Sequence, residues 1–567
     1  MEQKSTKALK KNSMSLLGIV VLVYAFIAAG AFGIEEAIAS SGPGVTLAML
    51  LIFPFVWSIP LGEMVAELGS LYPTEGGIYS WAREAFGEFW GWQVGLWSAL
   101  TTWLCQAEYC ALVAGYLGKI LPMAPEVEFG VKIAMVLIFT AINIAGLDWM
   151  EKIETVLIGL VLIAFAAVTV VGIMNWNCNP VEPFFNPDEG LFHSVGEGIA
   201  IIIWMYLGYE CMSNMAEEVD DPQQIPRAMR ISQPLICLSY VLPTLAALAA
   251  IGRWDEWSTE QGAGAVGYAD VLIQYVGNWA GVLFVIVAIF ANCAIFCSYI
   301  AHGSRAFFVM ADDDMFPKFM RKVDKRGIPT ISILILAVFT IFTCQFDFTT
   351  LVMATNPIQL YMYIAMIAVI FKLRKIYPVA ARKAKGLTVM AGGNAGLIYC
   401  SACVFAISIF AIYVNGLDYF VAGFLVLFLG LVFYMIFKWY YKGRYNDDPV
   451  AFPLSKVTKL GLGDMMDIGV YTLLTGLMSL GGSIFLYFYE IEYGVEYYLE
   501  EYEEGFFSNW EAMISFCRWL GIALIIIGII VYFAGKKFEG ESVEKLRERQ
   551  IGHMDKQMEE LHGFIPR

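Results

Sequence analysis

Two stretches place residues able to do chemistry inside an otherwise apolar chain. The first is "GAFGIEE", where Gly30 and Gly33 bracket Ala31 and Phe32 and two adjacent carboxylates, Glu35 and Glu36, follow. The second is "WMYLGYE", Trp204 to Glu210, where Gly208 precedes an acid among aromatic side chains. A lone charge at the centre of a bilayer costs at least about 2.5–3.5 kcal/mol by insertion scales, so such residues face a cavity, a partner or an interface. Glycine at these points predicts interrupted membrane helices, and the N–H and C=O groups freed there need protein, water or a ligand as partners. The chemistry on offer is binding. Adjacent helical residues point about 100° apart, so one glutamate can look into a pathway while the other meets a neighbouring helix or the outer interface. Glu35 is assigned to the pathway.

No catalytic constellation accompanies these stretches. There is no phosphate-cradling GxxxxGK[ST] loop, since "AGGNAG" (391–396) lacks the Lys and the Ser or Thr, and neither a GxSxG elbow nor an HExxH helix occurs. The chain is therefore expected not to be an enzyme and to use no cofactor or metal. The eleven cysteines include Cys293 with Cys297 and Cys400 with Cys403, each pair on one helical face. Without a histidine cluster they read as small packing residues.

The elements that must position these groups follow from composition. In 567 residues, 59% are hydrophobic, 15% aromatic and only 16% charged, which excludes an ordinary soluble globular protein. The expected class is an all-α polytopic membrane protein with about fourteen spans, beginning near residues 16, 45, 88, 129, 151, 195, 231, 278, 328, 348, 394, 418, 466 and 513. The first apolar segment follows "KSTKALKKN" without a cleavage site, so it is expected to be the first span rather than a signal peptide. Loops such as "PKFMRKVDKRG", "KLRKIYPVAARKAKG" and "KWYYKGRY" hold most of the Lys and Arg, which places both termini in the cytoplasm by the positive-inside rule, and the expected location is the plasma membrane. The net charge of −16 resides partly in an outer loop, "EIEYGVEYYLEEYEEGFFSNWE".

The expected organisation is a tail (1–15), a twelve-span core (16–441), a linker (442–465), two extra spans joined by the acidic loop (466–535) and a C-terminal tail (536–567). In that tail "ESVEKLRERQIGHMDKQMEELHG" has helical charge spacing and predicts a short surface helix. Spans one and six, the two with glycine breaks, open two sets of five, the arrangement of inverted repeats with a site at their interface.

Four stretches resemble the amino acid, polyamine and organocation transporter superfamily: "GAFGIEEAI", "MVAELGSLYPTEGGIYSWAREAFGEFWGW", "WMYLGYE" with "EEVDDPQQIPRA", and "SRAFFVMADDDMFPKFMRKVDKRGIPT". The resemblance covers roughly residues 14–441. It implies a LeuT-type fold of five plus five inverted helices with additional C-terminal spans, and alternating access around a midplane site. It further implies that Gly30, Ala31, Phe32 and Gly33 form the unwound segment whose N–H groups receive a substrate carboxylate, with carbonyls near the amine. Trp204 aligns with an aromatic that closes over substrate, and Tyr206 and Tyr209 follow it. Glu210 aligns with an acid used near the amine or as a pH-responsive group, and Tyr299 with an aromatic of the eighth span. Gln106 matches a side-chain amide that meets the substrate's distal group. Glu108, two residues on, points about 200° away and is assigned to another helix contact. Asn292, Asn356 and Gln359 read as helix-to-helix hydrogen bonds.

Two features depart from the wider pattern. The fifth span has no lysine beyond Lys152 at its entrance, unlike some proton-coupled members, and "GIEE" is similar to the "GGPFGIED" type of polyamine and proton symporters, which share "FPFVWSIP". The expected function is a secondary active permease for amino acids or polyamines, a cationic amine substrate being favoured, with proton coupling or exchange. A neutral amino acid permease and a nutrient sensor of the same fold are the alternatives. The expected partners are a small-molecule amine, protons and membrane lipid, and not nucleic acid.

Overall fold

A computed structural model describes residues 16–28, 30–74, 76–146, 150–211, 223–259, 265–414, 417–501 and 509–566. The N-terminal tail, the start of the sixth span's exit (212–222) and residues 502–508 of the acidic loop lie outside the described residues. Among the described residues the architecture is helical, with only two isolated bridges, Trp257 to Val266 and Leu454 to Gly461.

Among the described residues, eleven helices are long and apolar enough to cross a membrane. Two of the fourteen expected spans are shorter, Leu16–Ile27 at 12 residues and Thr330–Thr343 at 14, and a third, Glu88–Ile120, is a 33-residue helix outside those eleven. At 1.5 Å per residue, 12 residues cover about 18 Å of a hydrocarbon core near 30 Å. The first span therefore needs its second piece, Ile34–Ser41, beyond the glycine break. The sixth is likewise interrupted: Gly190–Met205 ends at Tyr206, and Gly208 has φ +101°.

Small residues allow close packing where lipid gives no drive for helices to associate. In the last pair, Asp464–Glu501 and Trp510–His562, a Cβ on Gly476 would stand 2.8 Å from Gly521 O, and one on Gly521 2.9 Å from Gly476 O. The charged tail segment is helical, but it is not a separate short helix. It continues the last span without a break through 53 residues.

That long helix returns to the basic end of the bundle. His562 Nε2 lies 2.8 Å from Leu71 O, and Tyr377 OH donates to Asp555 Oδ1 at 3.2 Å. The same end is closed by ion pairs: buried Glu67 accepts from Arg374 Nε (2.7 Å) and Arg382 Nη2 (2.8 Å), and Glu63 accepts from Nη2 of the exposed Arg230 (2.8 Å). These tie the second span, Pro43–Leu71, to Phe348–Ile376, to the short helix Val379–Ala384 and to Gln224–Ile251.

Candidate functional site

The two breaks lie against each other. Gly30 (φ +118°) and Gly33 (φ +97°) adopt a backbone that side chains with a Cβ rarely reach, which ends Leu16–Ile27 and restarts the helix at Ile34. A Cβ on Gly208 would stand 2.7 Å from Phe26 O, so the interruption in the sixth span rests on the end of the first.

Several of the freed backbone groups have partners. The hydroxyl of Tyr240 lies 2.9 Å from Ile27 O and 2.8 Å from Met205 O, sharing its proton between the carbonyls of both breaks. Tyr299 OH donates to Phe26 O at 3.4 Å. On the donor side, Gly33 N–H donates to Glu35 Oε2 at 3.0 Å, and Tyr116 OH donates to Glu35 Oε1 at 2.6 Å. Glu35 is fully buried. Its neighbour diverges: Glu36 Oε1 accepts from Ser258 Oγ (2.9 Å), Thr259 N–H (2.6 Å) and Thr259 Oγ1 (2.7 Å). One acid thus turns into the bundle and the other pins the segment at the end opposite the basic loops. Lys119 Nζ holds the same segment through Ser258 O at 2.7 Å.

Trp204 sits beside the first break, where a Cβ on Gly33 would come within 3.3 Å of its ring. Its indole N–H donates to Glu108 Oε2, and Glu108 Oε1 accepts from Thr355 OH at 2.6 Å. The ring packs edge-on to Phe348 at 5.1 Å and near Tyr109 at 5.9 Å, and Tyr109 leads on to Tyr299 at 5.3 Å. Glu210, just past Gly208, accepts from Gln359 Nε2 and Tyr363 OH, both at 2.8 Å. Three buried carboxylates from three spans, Glu35, Glu108 and Glu210, therefore flank two helix breaks. Carboxylates held by neutral donors can exchange those donors for an ammonium, which brings three of its own.

The other expected residues are distributed as follows. Ala31 is fully buried in the break, and Phe32 packs on Tyr116 (5.3 Å), Phe165 (4.9 Å) and Phe284 (6.1 Å). Gln106 faces Thr330–Thr343, where its Oε1 accepts from Thr340 OH at 2.8 Å, so it is Glu108 that turns towards Trp204. Tyr206 points away as well, donating to Leu50 O at 2.8 Å and packing on Tyr240. Tyr209 pairs with Ser58. Asn292 bonds its own helix at Ala288 O, and Asn356 bridges to Ala200 O, both at 2.9 Å. Sequence reasoning missed Tyr116, Tyr240, Thr355 and Tyr363. Only the clustering of tyrosines in apolar spans hinted at the three tyrosines, and nothing in the sequence singled out Thr355.

A family model described as amino acid permease matches residues 12–438. The chain belongs to the amino acid permease family. The permease is similar to a probable polyamine transporter of Arabidopsis thaliana, with 27% identity over 396 residues covering 67% of this chain and 76% of the relative. It is also 26% identical to the polyamine transporter RMV1 of the same plant, over 66% of this chain and 76% of that one. The crystal structure of MhsT in complex with L-phenylalanine superimposes with a TM-score of 0.56 at 13% identity, covering 72% of the permease and all of MhsT. That likeness shows the LeuT-type fold. The permease is thus a multi-pass membrane protein and a secondary transporter, with relatives that are transporters by name.

Proposed function

We propose that this permease moves cationic amines, diamines and polyamines ahead of amino acids, by alternating access across the plasma membrane. One observation carries the reading: Glu35, Glu108 and Glu210 are buried around the two breaks, where a bound cation would offset the cost of keeping carboxylates out of water. The names of its relatives support it, since the Arabidopsis proteins are described as polyamine transporters. Trp204 supplies an aromatic face for an ammonium. Glu210 alternates between proton and amine, which is the exchange that proton coupling requires. The basic end faces the cytoplasm, as the positive-inside rule favours. Alternating access then breaks in turn the contacts of Glu67 with Arg374 and Arg382 at one end and of Glu36 with Thr259 at the other.

Counterflow into proteoliposomes, run with a panel of amines and amino acids and with or without a pH gradient, tests this. Saturable counterflow of diamines that a pH gradient accelerates is expected. Preferential counterflow of neutral amino acids would replace the reading, and binding without movement would point to a sensor. Glu210→Gln is expected to lower uptake at least about tenfold and to flatten its pH dependence. An unchanged rate and pH profile would remove Glu210 from the mechanism.

A further inference from the structure

We propose that Glu35 sets the substrate class by standing in for a substrate carboxylate, so that the site accepts amines and rejects their α-carboxylated counterparts. The inference rests on reading the paired breaks as the substrate site. It starts from the side chain's direction: Glu35 turns back two residues to accept from Gly33 N–H at 3.0 Å, at the break itself. Gly33 is the N-terminal cap residue of Ile34–Ser41, and such a helix start attracts an anion through its N–H groups and its dipole. Here the anion is the protein's own.

The rest of Glu35 is equally committed. Tyr116 OH, from the third span, holds Oε1 at 2.6 Å, and Phe32 packs on the ring of Tyr116, so the carboxylate is fixed on both oxygens and fully buried. Lys119 is the nearby cation, and its ammonium is drawn towards Ser258 O at 2.7 Å. An arriving α-carboxylate would find the N–H of Gly33 taken and a like charge beside it. A like charge within about 5 Å in a partly desolvated site weakens binding roughly a hundredfold. An amine without that carboxylate meets no such penalty, and Glu35 then adds to the negative field of Glu108 and Glu210.

A purely structural alternative has the same contact. An acid near a helix start that reaches the cap N–H resembles half of a capping box, whose role is to stabilise the helix. Specificity separates the two. Putrescine and ornithine differ by one α-carboxylate, as do cadaverine and lysine. The experiment measures half-saturation in counterflow for both pairs with the full-length protein, comparing wild type with Glu35→Gln and Glu35→Ala.

Wild type is expected to favour the decarboxylated member of each pair by about a hundredfold. Both variants are expected to narrow the ratio to below about tenfold, with a gain for ornithine and lysine rather than only a loss for the diamines. Equal use of ornithine and putrescine by wild type overturns the inference without any variant, which covers the case in which the variants do not fold. Variants that melt lower but keep the wild-type ratio reduce Glu35 to a helix cap. Counterflow of neither diamine nor amino acid by wild type would instead sink the transport reading itself.

Discussion

The indole N–H of Trp204 donates to the carboxylate of Glu108, joining the half of the sixth span that precedes its break to the middle of the third. Thr355 completes the junction from Phe348–Ile376 through the other carboxylate oxygen. Three helices therefore meet at one buried carboxyl group. If that group receives an amine, Trp204 loses its hydrogen bond but offers its ring face in exchange.

Substitution of Trp204 follows from this. Trp204→Ala removes the ring and its edge contact with Phe348, and is expected to raise the half-saturation for diamine counterflow about tenfold, the scale of a desolvated cation–π contact. Trp204→Phe, which retains a ring without the N–H, is expected to fall between. A change in maximal rate alone, with half-saturation unaltered in both, would exclude Trp204 from substrate contact.

Gly30 tests the break as a backbone device. At φ +118°, Gly30→Ala would be strained by about 1–3 kcal/mol, and its Cβ would stand 2.4 Å from Phe165 Cε2 and 2.7 Å from Phe32 Cε2. Loss of transport with a lower melting temperature is expected. Wild-type counterflow from this variant would mean that the break tolerates a side chain.

At the basic end, Glu67 offsets two guanidinium groups while fully buried, and Met390 N–H adds a backbone bond at 2.8 Å. Glu67→Gln leaves Arg374 and Arg382 without their counter-charge, and removing one member of a buried pair typically costs about 3–5 kcal/mol. The melting temperature in detergent measures this. Glu67→Gln combined with Arg374→Gln is expected to recover part of the loss.

Glu84, on the amphipathic helix Gly77–Phe86 outside the spans, gives an acid-side signature. Burial alone would push its carboxyl up, but Arg444 at 3.1 Å and Arg83 at 2.9 Å outweigh burial and hold it below the ordinary carboxylate range. A depressed carboxyl stabilises the fold fully above its unfolded value, near pH ~4.3, and that stability is lost as pH falls through the folded value. Glu84→Gln is expected to melt lower than wild type at pH 7, and the gap is expected to close below about pH 4. A constant gap down to pH 3.5 would show that the ion pairs with Arg444 and Arg83 contribute nothing.

Hydropathy and glycine placement made the helical class, both breaks and the basic loops legible, because each is a local property of the chain. The glycines at 30, 33 and 208, set beside acids in apolar runs, allow a backbone interruption that the local sequence shows, and long apolar runs have few fates besides a membrane. The direction of a side chain within a span is not local. Sequence reading assigned Gln106 to the substrate and Glu108 to another helix contact, whereas in the fold Trp204 and Thr355 meet Glu108 and Thr340 meets Gln106. Continuity across the last span was equally hidden, since the charged tail reads as its own helix until the register through Gly540 is seen to be unbroken. The opening acids show the limit most plainly. Sequence placed Glu35 and Glu36 side by side at a helix start, with about 100° between them. Tertiary structure decided that one would pin Thr259 and the other would fill the N–H of Gly33, because the break brings that N–H within reach of a carboxylate only two residues away.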